Sequence, residues 1–317
     1  MVQCKTTTAP SADGADFLQR IRGSQTMYKI VHKKNLNPTV TQMEIEAPLV
    51  ARKAKPGQFI ILRVDEDGER IPLTVAGVNT DEGTVKIIFQ IVGATTEKLN
   101  HKEEGGFIQD FAGPLGKATE TEGIRKVCIV GGGVGCAIAM PVAQEFHRLG
   151  AEVTSIIGFR NKDLLILEDE FTTCSDRLVV MTDDGSYGRH GNVTVPLKEM
   201  LDAGEKFDMI ITIGPLIMMK FVTLTAKPYG VPVTVSMNPI MIDGTGMCGG
   251  CRITLVKEDG TKETRFACVD GPDFNGYEID FDEAMSRGRM YAGFEKRAYE
   301  EACNLFRKAE GGAENAN

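Results

Sequence analysis

Apolar and polar positions alternate in short runs from Met27 to about Thr121. The runs read YKIVHKK, TVTQMEIEAP, GQFIILRV, RIPLTVAGV, TVKIIFQIV and GFIQDFAGP. Turn residues separate them: Asn37-Pro38, Pro56-Gly57, Asp67-Gly68 and Asp81-Glu82-Gly83. A period of two puts one face of each strand inside and the other outside. Six short strands at near-regular spacing predict a small antiparallel β-barrel. From Ile124 the period lengthens. RKVCIV is a short apolar strand, GGGVG follows at once, and AIAMPVAQEFHRL reads as a helix stopped by Gly150. AEVTSIIGF, DRLVVMTDD and FDMIITIGP are further strands, and LILEDEFTTC, TVPLKEMLDAG and LIMMKFVTLTAKPYG are helices. Alternating strands and helices predict a doubly wound α/β domain on a parallel sheet.

After Gly230, VPVTVSM adds a strand and leads into a cysteine-bearing segment. A polar, helix-prone tail runs from about Tyr277 to Arg307, to pack either on a neighbour or on the cysteine segment. The expected multidomain order is an N-terminal extension (1–26), a β-barrel (27–122), an α/β domain (123–230), a small cysteine domain (231–276) and a helical tail (277–317).

Composition narrows the class. A length of 317 residues suits two or three domains. A hydrophobic share of 42% and a charged share of 25% are ordinary for a soluble globular chain. A net charge of −8 argues against a nucleic-acid surface, which needs clustered Lys and Arg. The longest charge-free apolar run, Val127 to Ala143, holds four glycines and Pro141, so no stretch reads as a membrane span. The first 26 residues lack an apolar core and are no secretory signal; Asp13 and Asp16 weigh against a transit peptide. They are expected to form a polar extension, either disordered or with a short helix around Asp16 to Ile21. Eight cysteines are too few for a disulfide scaffold, and reduced thiols imply a reducing compartment, most simply the cytoplasm.

Asp243, Cys248, Cys251 and Cys268 read D-x4-C-x2-C-x16-C. Glycine or cysteine fills six of the eight positions from Gly244 to Cys251. Glycines let the backbone curl with both sulfurs inward and bring amide N–H groups close to them. Such donors tune an iron–sulfur centre. The C-x4-C-x2-C…C spacing is that of plant-type [2Fe–2S] proteins, with an aspartate here in the first place. A zinc site of three sulfurs and one oxygen is a second reading. Three unconnected core thiols are a third.

Gly131, Gly132, Gly133 and Gly135 stand between a strand and a helix. In that context a backbone can approach a pyrophosphate at a helix N-terminus. Cys136 occupies the third glycine position of the dehydrogenase fingerprint, and no acidic residue ends the next strand, so a packing turn stays open. Gly214-Pro215 follows another strand at the same sheet edge, where ligands bind. Met218 and Met219 read as core. In the barrel, Arg70 and Thr74 lie at i and i+4 of one strand and share a side, as a flavin nucleotide would need; Arg70 as a plain surface residue is the alternative. Gly93-Ala94-Thr95-Thr96 opens a short helix, a further anion-binding end.

Taken in this order, the motifs resemble the ferredoxin–NADP reductase superfamily over about Met27 to Tyr291. Within it the chain resembles two kinds of electron-transfer subunit: the dihydroorotate dehydrogenase iron–sulfur subunit and the small subunit of NADH-dependent ferredoxin:NADP oxidoreductases. The resemblance implies that Arg70, Pro72, Leu73 and Thr74 bind FAD, with Thr74 near flavin N5. It places Gly93, Thr95 and Thr96 at the flavin pyrophosphate, and Asp110 to Gly116 matches a further family motif. It puts Gly131, Gly132, Gly133, Gly135, Arg160 and Asp183 on the NAD(H) side, and Gly214 and Pro215, at the same sheet edge, are counted with them from their position alone. Asp243, Cys248, Cys251 and Cys268 become the [2Fe–2S] ligands; an Asp with three Cys is the pattern of the oxidoreductase small subunit. No residue is nominated as a catalytic acid or base.

The implied activity is electron transfer from NADH through FAD and the cluster, or the reverse. The implied partners are a large flavin and [4Fe–4S] subunit and, through that complex, ferredoxin and NADP(H), coupled by flavin-based bifurcation. No nucleic acid and no membrane is expected. Alternatives are the electron-transfer subunit of dihydroorotate dehydrogenase or of a hydrogenase or sulfite reductase complex, a zinc-stabilised binding module, and a reductase that needs no large subunit. Arg160 leaves NADH against NADPH open, because a 2′-phosphate also suits it.

Overall fold

The computed structural model describes residues 27–314. The expected extension 1–26, with its helix around Asp16 to Ile21, lies outside the described residues. The first unit holds β1 (Tyr28–Asn37), β2 (Val40–Glu46), helix α1 (Pro48–Ala51), β3 (Phe59–Arg63), β4 (Arg70–Asn79), β5 (Thr84–Gln90), α2 (Ala94–Asn100), β6 (Phe107–Ile108) and β7 (Asp110–Leu115). Its strands run in the order β6-β1-β2-β5-β4-β3-β7, all antiparallel. The two ends of this sheet, β6 and β7, are separated by Gln109 alone, whose N–H donates to Arg63 O at 3.1 Å. One segment therefore pairs with both β1 and β3, and the sheet curls into a near-barrel without long free edges. Ile30, Met43, Ile45, Leu62, Ile87 and Phe89 fill its interior.

The second unit holds β8 (Lys126–Gly132), α3 (Cys136–Arg148), β9 (Glu152–Phe159), α4 (Glu168–Thr173), β10 (Arg177–Thr182), β11 (Arg189–His190), α5 (Thr194–Asp202), β12 (Met209–Ile213), α6 (Leu216–Ala226) and β13 (Val233–Ser236). Its sheet runs β11-β10-β9-β8-β12-β13-β16, where β16 is the later strand Asp273–Asn275. All pairs are parallel except β13 with β16. The central strands are covered on both faces, which is why Val127 to Val130 reads as an unbroken apolar run. The chain winds outward from β8 in both directions, so the ends of β8 and β12 form the topological switch point where α/β sheets place ligands.

The cysteine segment adds a hairpin of β14 (Arg252–Val256) and β15 (Lys262–Phe266), a short α7 (Ala267–Asp270) and β16 (Asp273–Asn275). The tail forms α8 (Phe281–Gly288) and α9 (Ala292–Glu314). Asp280 caps α8 by accepting from Glu283 N–H at 3.0 Å. The tail divides between two supports. Helix α8 packs on α6 and β14, whereas α9 reaches α2 of the barrel, where Tyr299 meets Glu97. No helix among the described residues is long and apolar enough to cross a membrane.

Two apolar clusters join the units. Phe59 and Ile61 of β3 pack with Val130 and Met219 of the α/β unit and with Cys251 and Cys268. On another side of the barrel, Val40, Ala76 and Ile88 join Ala137 and Met140 of α3.

Two glycine loops meet at the switch point. A Cβ on Gly135 would stand 2.5 Å from Ile213 O and 2.8 Å from Gly214 Cα. Gly135→Ala is therefore expected to destabilise the protein by about 1–3 kcal/mol, the range for overpacking, read as a lower denaturant midpoint. Gly288→Ala, with nothing within 4 Å of the added carbon, is the control and should leave the midpoint unchanged or raise it.

Candidate functional site

Strand β4 carries the flavin-type motif, and its register fixes which way each side chain points. Phe59 pairs with Thr74, Ile61 with Pro72, and Arg63 with Arg70. Opposed residues in an antiparallel pair share a face. Arg70, Pro72 and Thr74 thus lie on the outer face with Phe59 and Ile61, towards the α/β unit and the cysteine segment. Leu73 points the other way and packs on the barrel core. Pro72 and Thr74 are half-buried and Arg70 is exposed. The Arg70 guanidinium is held loosely, 3.9 Å from an Asp110 oxygen that Arg63 already engages at 2.7 Å.

Helix α2 begins beside this strand. Thr95 Oγ1 donates to Glu69 Oε2 at 3.4 Å, which ties the helix start to the residue before Arg70. The Thr96 hydroxyl accepts from Val92 N–H and Gly93 N–H, both at 3.0 Å. Thr96 thereby caps its own helix.

On the parallel sheet, Gly131 and Gly132 end β8, a single 3-10 turn spans Gly133–Gly135, and α3 starts at Cys136. Gly133 takes φ +56°, a conformation that favours glycine. Gly132 lies under the Met218 sulfur and beside Pro215, and Gly214 lies against Gly132. Met219 is fully buried, while Met218 sits between the two glycine loops. Cys136 is buried, and burial pushes its thiol pKa up; its sulfur fills the space a Gly131 side chain would take. Arg160 and Asp183 follow β9 and β10 at the same edge. Asp183 N–H donates to Phe159 O at 3.0 Å and Asp184 N–H to Arg160 O at 3.2 Å. Both side chains are exposed.

The cysteine loop is built on the barrel. Gly244, Gly246 and Gly249 take φ of +76°, +80° and +69°. A Cβ on Gly244 would stand 2.7 Å from Leu115 Cδ1 and 3.0 Å from Ile61 Cδ1. The loop therefore lies directly on β3 and β7, beside the strand β4 that carries Pro72 and Thr74. Asp243 shapes it: Oδ1 accepts from Thr245 N–H at 2.8 Å and Oδ2 from Cys248 N–H at 3.0 Å. The Thr245 and Cys248 donors hold its carboxyl below the usual range. Cys251 Sγ is 3.2 Å from Cys268 Sγ, and both thiols are buried. Burial, the Cys251 thiol and the Asp243 charge push Cys268 up to about 12, against a Gly246 N–H that stabilises its thiolate.

Cys248 is exposed and stands off from the pair. Among the described residues, no group of three or more His, Cys, Asp or Glu is placed to hold a metal ion. The donor set still suits a thiophilic metal. Two sulfurs on a tetrahedral centre at ~2.3 Å stand roughly 3.8 Å apart, so the buried pair needs only a small opening. The large cleft of about 910 Å³ lies elsewhere, between the barrel and α3, and none of the sequence-predicted residues lines it. Its charges neutralise one another, as in Lys86–Glu44 and Arg148–Glu145.

Residues 238–280 match the iron-sulfur cluster binding domain of dihydroorotate dehydrogenase B. The chain is 46% identical over 278 residues to a Thermotoga maritima homolog of the dihydroorotate dehydrogenase B (NAD(+)) electron transfer subunit, covering 88% of this chain and 96% of that one. The chain belongs to this family. An uncharacterised Clostridium beijerinckii protein is 49% identical, covering 86% of this chain and 93% of that one. A chain of the NADH-dependent reduced ferredoxin-NADP oxidoreductase superposes with a TM-score of 0.80 at 43% identity, covering 87% of this chain and 98% of that one. A cytochrome P450 reductase from Amycolatopsis, at 19% identity and a TM-score of 0.55, covers 64% of this chain and 66% of that one and shows the fold alone. The family is one of oxidoreductase electron-transfer subunits.

The matched segment holds Cys248, Cys251 and Cys268, and two of their sulfurs stand together in the buried pair. Cys251→Ser and Cys268→Ser are expected to lower bound iron well below that of the wild type. Asp243→Ala removes a candidate ligand and the acceptor for two backbone N–H groups. It should lower iron content and also loosen the loop, read as faster amide exchange at Thr245 and Cys248. Unchanged iron in all three variants would remove the segment from metal chemistry.

Proposed function

We propose that this family member passes electrons between NAD(H) and a partner protein through FAD and a [2Fe–2S] centre. The observation that carries this reading is the seat of Gly244 on Ile61 and Leu115, which sets the cysteine loop against the face of Arg70, Pro72 and Thr74. Arg70 and the start of α2 would hold the flavin pyrophosphate, and Thr74 would offer a hydroxyl to the ring. The glycine loops at Gly131–Gly135 and Gly214-Pro215 would admit the nicotinamide nucleotide to the switch point, with Arg160 and Asp183 at its far end. Asp243, Cys248, Cys251 and Cys268 would hold the cluster, Cys248 turning in to join the pair. Bound there, the flavin supplies the exchange between hydride and single-electron chemistry, and the cluster supplies single-electron transfer.

In this reading the near-barrel is the FAD domain (27–122), the parallel sheet is the NAD(H) domain (123–230), and residues 231–276 form the cluster domain. The chain's own part is positioning. The backbone at the glycine loops excludes side chains from the nucleotide path, and the buried faces of Cys251 and Cys268 keep water from the sulfurs. Ile242, Met247 and Val269 stand exposed around the cysteine loop, a surface for a partner to cover. By its likeness to the ferredoxin-NADP oxidoreductase chain, that partner is a large flavin and [4Fe–4S] subunit, and the complex exchanges electrons with ferredoxin and NADP(H) by bifurcation.

The test is an anaerobic visible spectrum of the purified chain with iron and flavin assays, before and after NADH. About 1 FAD and 2 Fe per chain, with the colour bleached by NADH, is the expected result. A colourless protein containing zinc would overturn the proposal. A yellow protein without iron would keep the flavin assignment and remove the cluster.

A further inference from the structure

One buried carboxyl has no part in the binding roles above. Asp273 opens β16 and pairs with Ser236 of β13. The residue as a whole is half-buried, yet its Oδ1 is sealed from solvent and has no hydrogen-bond partner among the described residues. Its Oδ2 accepts from Thr119 Oγ1 at 2.6 Å. Thr119 is buried in the linker between β7 and β8, and its N–H donates to Pro56 O at 3.0 Å. Gly57 makes room for the hydroxyl, since a Cβ there would stand 2.2 Å from Thr119 Oγ1. Two backbone bonds close the same joint: Lys117 N–H to Gly271 O at 2.7 Å, and Met237 N–H to Pro272 O at 2.9 Å. One carboxyl thus ties together the barrel's exit linker, the edge of the parallel sheet and the end of the cysteine segment.

The groups that face this carboxyl are the hydroxyls of Thr119 on the linker and Ser236 on β13, both of which favour its charged form, and among the described residues no charged side chain acts on it. Burial dominates and raises its pKa. An ionised carboxylate with one oxygen dry and unpaired is strongly disfavoured, whereas the neutral acid leaves far less charge unsolvated. We propose that Asp273 is a positioning residue whose sealed carboxyl locks the cysteine segment to the barrel and so sets the gap an electron crosses between flavin and cluster. The role in electron transfer rests on the function proposed above. The geometry supports the link: Cys268 lies five residues before Asp273, and Leu115, which touches Gly244, lies four residues before Thr119.

The sign of the pH effect follows from the raised pKa. Stability from the neutral form is complete below the unfolded range of Asp, about 4, and is lost as pH rises through the folded value. Asp273→Asn keeps a neutral group at every pH and should abolish that loss. The experiment uses the full chain as wild type, Asp273→Asn and Thr119→Val. It records the thermal midpoint from acid to alkaline pH, and the separate rates of flavin and cluster reduction after mixing with NADH. The wild-type midpoint should fall with rising pH relative to Asp273→Asn. Thr119→Val should slow cluster reduction several-fold and leave flavin reduction unchanged. Identical midpoint profiles for wild type and Asp273→Asn would overturn the raised pKa and with it the sealed carboxyl. Equal slowing of both rates in Thr119→Val, or no slowing, would overturn the positioning role. A chain without flavin or iron would sink the proposed function and with it the electron-transfer role, while the midpoint profiles would still decide the state of Asp273.

Discussion

The structure depends on one strand with two buried faces. Strand β3 sends Ile60 and Leu62 into the barrel, and Phe59 and Ile61 outward into a core shared with the parallel sheet and the cysteine segment. A surface strand of a small barrel normally has one wet face. Burying both makes barrel, sheet and cysteine loop one packing problem, because interiors tolerate little change in volume. The pairing of β3 with β4 then carries this constraint to Arg70, Pro72 and Thr74. A shift of one residue in that register would turn Thr74 into the barrel and Leu73 out of it. The placement of the candidate flavin strand and of the cysteine loop is thus a single fact.

Much of this was readable in the sequence where a physical signal is local. Period-two alternation gave the barrel strands, and unbroken apolar runs followed by turns gave the parallel ones. Gly150, at φ +81°, stops α3 as its position suggests. Signals that depend on distant partners were not readable. The run GFIQDFAGP reads as one strand, but Gln109 divides it so that its halves pair with different neighbours. Strand β16 is three residues long and exists because β13 offers an edge. LILEDEFTTC promises a longer helix than Glu168–Thr173, because Leu167 takes a positive φ of 61° and delays its start.

The glycines divide in the same way. Sequence context marks Gly131 to Gly135 as a loop that a phosphate can approach. The structure adds that Gly132, Gly135 and Gly214 are also needed for the two loops to touch each other. Both demands act at once, since a loop held tightly on its inner side can present its amides on the outer side without rearrangement. Leu73 is the opposite case: it belongs to the motif in sequence and to the barrel core in space. The motif is contiguous along the chain only because a strand alternates, and the inward residue comes along with the outward ones.

Asp243 shows why a carboxylate suits the first place of the cysteine segment. A thiolate there would donate more strongly to a soft metal. It is a weak acceptor from N–H, and the loop has two backbone donors, at Thr245 and Cys248, that need acceptors. The carboxylate takes both, one per oxygen. These two bonds, the glycines at the positive φ positions and the Cys251–Cys268 contact all belong to the loop's own fold. The same two bonds draw charge from the oxygens, so Asp243 would meet a metal as a weaker donor than a free carboxylate. In a [2Fe–2S] centre held there, weaker donation would favour the reduced state and raise the potential, the direction seen when neutral ligands replace thiolates in Rieske centres. Loop order and redox tuning would then be two consequences of one residue.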